Sequence, residues 1–381
     1  MKKNERRLND FNELILCLDA FLLAFRSVIG FSNFYQNVFF TYITIFIWST
    51  VCFVILLNNY TFSQIIRIVL LFLLVFLIYY KSSLLSPFFT MLYLIAVKNT
   101  NIKKILKWNF AGIIFSICLV TLSYFYGLID TNVMEDGSSS LGFNNPNTVA
   151  FETTIIVLYW IYFRFNKLSV PELYLFFLVV SFIYYCTKSR TGLLLNIIIL
   201  LLYLCFRYSR KLKKLLKQKL YICVIIIPSC CFAGVWFCSS VELFSKLNTI
   251  LSGRMIQAQF YLFEYGLHLF GAKLGKLINY QPGTPLLDMG YARLILQFGF
   301  IYFVIFFYIY FKKLQNALSE NDYPLTILLF TVFLGLITEN VWLTINYNFI
   351  TLFCAEILFN FQKKDKKLRL SFLKFNEKKR W

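Results

Sequence analysis

The sequence predicts an all-α fold: a polytopic bundle of about twelve transmembrane helices, with one large extracytoplasmic loop between the ninth and tenth. Three observations point there. Hydrophobic residues make up 59% of the 381 and charged ones 15%, where a soluble domain is nearer half apolar and a quarter charged. The excess runs the whole length, which excludes a soluble domain on a single anchor. Apolar runs of span length recur along the chain, and the cations between them alternate in density.

The runs fall at 11–29, 37–57, 64–80, 83–97, 105–127, 147–165, 172–187, 191–207, 220–238, 290–311, 324–340 and 343–361. The first holds Asp19 and Arg26, seven apart and therefore on one face, which predicts a pair inside the bundle. It follows a basic start but carries no small-residue cleavage site, so no cleavable signal peptide is expected. The fourth is short and contains Pro87. The sixth opens from Asn145-Pro146, a cap followed by a first-turn proline. Ser189 or Thr191 is placed to cap the eighth. Ten cysteines sit mostly within apolar runs, without CxxC or Cys/His pairing, and read as small hydrophobes.

Orientation follows from the cations. With the N-terminus inside, 29 of the 38 Lys and Arg fall on the cytoplasmic side, including the 207–219 loop and the basic tail 362–381. Both termini are then cytoplasmic in a multi-pass inner-membrane protein, forming a single integral domain over 1–381. The net charge of +20 is met by anionic lipid, with no need of nucleic acid. The 128–146, 187–191 and 239–289 segments share the outer face.

Three polar clusters gather there. Lys188-Ser189-Arg190-Thr191-Gly192 brings two cations to a helix N-terminus, which suits a diphosphate or carboxylate; interfacial anchors snorkelling to lipid phosphates read the same way. Asn144, Asn145 and Asn147 stand at the mouth of the sixth span with Glu152 deeper on it, groups suited either to sugar hydroxyls or, for Asn145, to plain capping. In the long loop, Arg254, Gln257, Tyr261, Glu264 and His268 are spaced 3, 4, 3 and 4, one stripe of a single interfacial helix. Met255, Ala258, Leu262, Tyr265 and Leu269 form the stripe beside it, assigned to lipid. The polar stripe fits a cavity or bulk solvent equally. Asp288, Tyr291, Arg293 and the Glu339-Asn340 pair also face outward. No P-loop, metal-ligand cluster or hydrolase triad is present, so neither metal nor cofactor is expected.

Leu141-Gly142-Phe143-Asn144-Asn145-Pro146-Asn147, then Lys188-Ser189-Arg190-Thr191-Gly192, Leu251-Ser252-Gly253-Arg254 and Asp288-Met289-Gly290-Tyr291 resemble, in order, the sparse signature of the Wzy-type polysaccharide polymerases. These share a membrane superfamily with the O-antigen ligases. The resemblance implies a metal-independent glycosyltransferase outside the cytoplasmic membrane. It would join undecaprenyl-diphosphate-linked oligosaccharide units, delivered by a flippase, into capsular, exopolysaccharide or O-antigen polymer, alongside a chain-length regulator. By position it gives the diphosphates to Arg190 and Arg254 and a catalytic acidic role to Asp288, with Glu264 the next carboxylate. From their own chemistry and placement, Asn144, Asn145, Asn147, Glu152, Lys188, Glu264, His268, Tyr291 and Arg293 are expected to bind substrate. His268, the only histidine, falls outside the matched stretches. Ligase-type transfer of finished polymer is the neighbouring alternative. A flippase is the other, although one-sided polar clusters argue against alternating access.

Overall fold

The computed structural model describes residues 2–32, 34, 38–130, 137–275, 287–359 and 369–370. Within the outer loop 276–286, and in the basic tail all but 369–370, lie outside the described residues. Among the described residues the regular structure is helical, apart from a two-residue antiparallel pairing of Tyr60–Thr61 with Arg369–Leu370 and a single bridge between Ser32 and Phe143.

The helices are α1 (Lys2–Gly30), α2 (Val38–Leu57), α3 (Phe62–Ser82), α4 (Ser86–Ala96), α5 (Ile102–Phe125), α6 (Pro146–Arg164), α7 (Val170–Thr187), α8 (Arg190–Tyr208) and α9 (Arg210–Phe237). Two short helices follow, α10 (Glu242–Ile250) and α11 (Arg254–Tyr265). The chain returns through a single turn α12 (Gly290–Arg293), α13 (Phe300–Ser319), α14 (Tyr323–Gly335) and a last turn α15 (Ala355–Phe359).

Six of these, α2, α3, α5, α7, α8 and α9, are long and apolar enough to cross a membrane. Their outer faces carry large exposed hydrophobics: Phe39, Phe46 and Phe53 on α2, Leu73 and Phe76 on α3, Leu175 and Phe182 on α7. Water does not tolerate so wide an apolar surface, whereas hydrocarbon does. The other six runs differ from unbroken spans. Those at 11–29 and 147–165 lie in α1 and α6, more polar helices, while α4 and α14 have only 11 and 13 residues. The run at 290–311 is broken by a π-helical turn, Leu294–Phe298, and by Gly299. The run at 343–361 resolves into 3₁₀ turns at Asn340–Leu343 and Phe349–Cys354 before α15.

The predicted Asp19–Arg26 pair does not form. Thr50 Oγ1 donates to the Asp19 carboxylate at 2.8 and 2.9 Å, and Arg26 Nε donates to Thr44 Oγ1. Seven residues of helix rise about 10 Å, too far for direct contact, so the two threonines of neighbouring α2 take one charge each.

α6 and α8 touch where Gly192 meets Ala150: a Cβ at 192 would lie 2.7 Å from that of Ala150. One turn on, Asn196 Nδ2 donates to Thr154 Oγ1 at 2.8 Å between the same helices. Gly192→Ala is therefore expected to cost about 1–3 kcal/mol, read as a lower Tm of the solubilised protein, with Ala150→Gly restoring most of it. An unchanged Tm in Gly192→Ala would show that the two helices do not meet there.

Candidate functional site

The four motif segments, spread over some 150 residues of sequence, fold to one end of the bundle. The asparagine cluster is held by the end of α1: Asn144 N donates to Phe31 O at 2.7 Å, and Phe143, fully buried, bridges to Ser32. Asn145 caps α6 as its sequence suggests, its Oδ1 accepting from Asn147 N at 2.8 Å.

At α8 neither expected cap operates. Ser189 occupies the cap position, but its side chain makes no capping bond, and its buried Oγ has no partner. Among the described residues no side chain caps the start of α8, a setting that favours an anion. Arg190 stands exposed on this end and forms no ion pair among the described residues. Lys188 closes α7 just before it.

α11 is capped from a distance. Asn248 Oδ1, near the end of α10, accepts from Met255 N at 3.0 Å and Ile256 N at 3.1 Å, which starts the helix at Arg254. Arg254 is only 6% exposed. Its Nη2 lies 2.8 Å from Glu339 Oε1, and its Nη1 donates to the Thr338 carbonyl. The Asp288 segment is laced to the same stretch: Asn340 Nδ2 donates to Leu287 O at 3.0 Å and Tyr291 N to Leu336 O at 3.1 Å. Gly290 permits this, since a Cβ there would sit 2.8 Å from Glu339 O.

Two cavities result, both within the size of small-molecule sites. One, of about 600 Å³, is walled by Asn144, Asn145, Asn147, Arg254, Asp288, Arg293 and Glu339, with Thr344 and Tyr347 behind. Its two cations face two carboxylates. The other, of about 950 Å³, is walled by Lys188, Ser189, Arg190 and Thr191 with Tyr184, Tyr185 and Ser252. No carboxylate lines it among the described residues, so it is cationic. Asn147 and Arg254 border both cavities.

Eight predicted site residues, Arg190, Arg254, Asp288, Asn144, Asn145, Asn147, Lys188 and Arg293, thus line one or both cavities. Four do not. Glu152 is 2% exposed in the body of α6, its Oε1 without a hydrogen-bond partner. Tyr291 is buried and donates its OH to Phe333 O at 2.8 Å, a structural bond. Glu264 lies exposed near the end of α11, away from both cavities. His268 is off the helix altogether, because α11 stops at Tyr265 and Gly266; its Nε2 lies 2.8 Å from Tyr265 O.

The stripes of α11 need a further correction. Met255 and Ala258, assigned to lipid, are buried against protein, where Gly234 of α9 leaves room for the Met255 thioether. The exposed apolar face is instead Ile256, Phe260 and Phe263. Glu339, which completes the site, was visible in sequence as a carboxylate ending an apolar run, but nothing there tied it to Arg254, 85 positions earlier.

Comparison with known proteins finds no match to this chain among protein-family models, curated proteins or solved structures.

Tyr291→Phe is expected to lower stability by about 1 kcal/mol through loss of the buried bond to Phe333, measured by thermal unfolding, and to leave ligand binding at the cavities unchanged. A selective loss of ligand binding at unchanged Tm would return Tyr291 to the site.

Proposed function

We propose that the chain is a glycosyltransferase that polymerises undecaprenyl-diphosphate-linked oligosaccharide units at the outer face of the cytoplasmic membrane, as its resemblance to the Wzy-type polymerases implies. The observation that carries this reading is the pairing of a cationic cavity with a charge-balanced one across a shared wall of Arg254 and Asn147. A lipid-linked sugar diphosphate has one strongly anionic part and one polyhydroxylated part, and a transferase must hold both beside an acceptor hydroxyl.

In this reading the donor diphosphate sits against Lys188, Arg190 and the uncapped start of α8. The amides and Asp288 of the other cavity receive the acceptor. The anomeric C–O bond breaks and its electron pair leaves with the diphosphate. The acceptor oxygen forms the new glycosidic bond, and its proton passes to the Asp288 carboxylate. Guanidinium groups fixed beside the leaving group stabilise charge that grows only in the transition state. The twelve-span topology, with both termini inside, belongs to the same proposal. So do delivery by a flippase and control by a chain-length regulator.

With purified protein and lipid-diphosphate repeat units, Arg190→Ala is expected to lower polymer formation by about 10²-fold or more at unchanged protein level, and Arg190→Lys to recover part of it. Full-length polymer from the alanine variant would make Arg190 a lipid anchor.

Topology is checked separately. In a background stripped of native cysteines, a membrane-impermeant thiol reagent added outside whole cells is expected to label Lys246→Cys on α10 and to spare Lys213→Cys. The reverse labelling would invert the chain and place both cavities inside.

A further inference from the structure

Among the described residues Arg254 is the one charged side chain that borders both cavities, and protein groups already engage it. Glu339 holds one guanidinium nitrogen and the Thr338 carbonyl the other, in a pair whose side chains are 7% and 22% exposed. A buried pair of this kind costs desolvation on both partners and is weak evidence for a stabilising role. Its position suggests another. Arg190, by contrast, stands exposed on the wall of the same cationic cavity.

Building on the diphosphate reading of that cavity, we infer that Glu339 is a positioning carboxylate. It holds Arg254 at the shared wall in place of a ligand charge, and a diphosphate-class oxyanion seated at Lys188 and Arg190 takes Arg254 from it. The groups facing Glu339 make the exchange consequential. Arg254 approaches from α11, and Asp288 and Arg293 share the cavity from either end of α12. Once Arg254 turns to the oxyanion, Glu339 and Asp288 face one cavity without that cation between them. Binding of the leaving group on one side thereby frees a carboxylate on the wall of the other.

The test is calorimetric binding of inorganic pyrophosphate to the full-length protein in lipid nanodiscs. If Glu339 competes for Arg254, Glu339→Gln binds pyrophosphate roughly tenfold more tightly than the wild type, because the competing charge is gone while a hydrogen-bonding amide remains. In an Arg254→Gln background the same Glu339→Gln change should have no effect. Glu339→Asp, one methylene shorter, should tighten binding less but in the same direction, which provides a second variant if the first folds poorly. A carboxylate that only braced its turn would weaken binding when replaced, and that result overturns the inference. Equal tightening with and without Arg254, or no pyrophosphate binding in any variant, overturns it too. Polymer assays separate this from the proposed activity. The stated pattern in a chain that makes no polymer removes only the polymerase reading. Polymer formation with pyrophosphate affinity indifferent to Glu339 removes only the exchange.

Discussion

A backbone surrounded by apolar surface must satisfy its own N–H and C=O groups, and the rest of this structure depends on how it meets that constraint where helices break. Two breaks matter, at 294–299 and at 336–354. The first is covered by the segment that follows α11: Ala272 N donates to Leu296 O at 3.1 Å, while Phe300 N and Ile301 N donate to the carbonyls of His268 and Leu269 at 3.0 and 3.1 Å. The second is covered by side chains. Asn348 Nδ2 donates to Trp342 O at 2.7 Å and to Tyr310 OH at 3.1 Å, and Ile345 N donates to Thr90 Oγ1 at 3.3 Å. Both breaks border the charge-balanced cavity, through Arg293 and Phe298 at one and Glu339 to Tyr347 at the other. Irregular backbone is tolerated where it is buried or lines a cavity, so the position of the cavity and the position of the breaks are one fact. A continuous helix at 324–340 would have no turn to present Thr338 and Glu339 together to Arg254.

Local features of the site were legible in the sequence because they rest on neighbours in the chain. Asn145-Pro146 reads as a helix start and is one, and the polar clusters that resemble a known signature do converge. The breaks were not legible. Runs such as 290–311 and 343–361 are as apolar as a continuous span, and composition does not register a π turn or a 3₁₀ turn. The face of α11 failed for a related reason. That helix has apolar residues on two faces, and the choice between them lies with α9, whose Gly234 admits Met255. Ser189 shows the limit even of local rules: the residue type and position suit a cap, yet its hydroxyl makes no such bond.

The two arginines that the resemblance treats alike are physically different, and the difference orders the proposed mechanism. Arg190 begins a helix at an exposed edge, on a long side chain free to meet a ligand before the ligand is fixed. Arg254 is 6% exposed and held at two nitrogens by Glu339 and the Thr338 carbonyl, so it is kept at the shared wall. An exposed cation is screened by salt and contributes chiefly to capture. A buried guanidinium is screened little, so once it exchanges Glu339 for the ligand its planar fork makes a strong, directed contact. Capture at the outer edge followed by orientation at the shared wall gives the site a direction, from the cationic cavity toward Asp288. It also explains why that wall carries a carboxylate. An unpaired guanidinium so deeply buried would be too costly to keep, and Glu339 supplies a counter-charge that a ligand's own charge can replace.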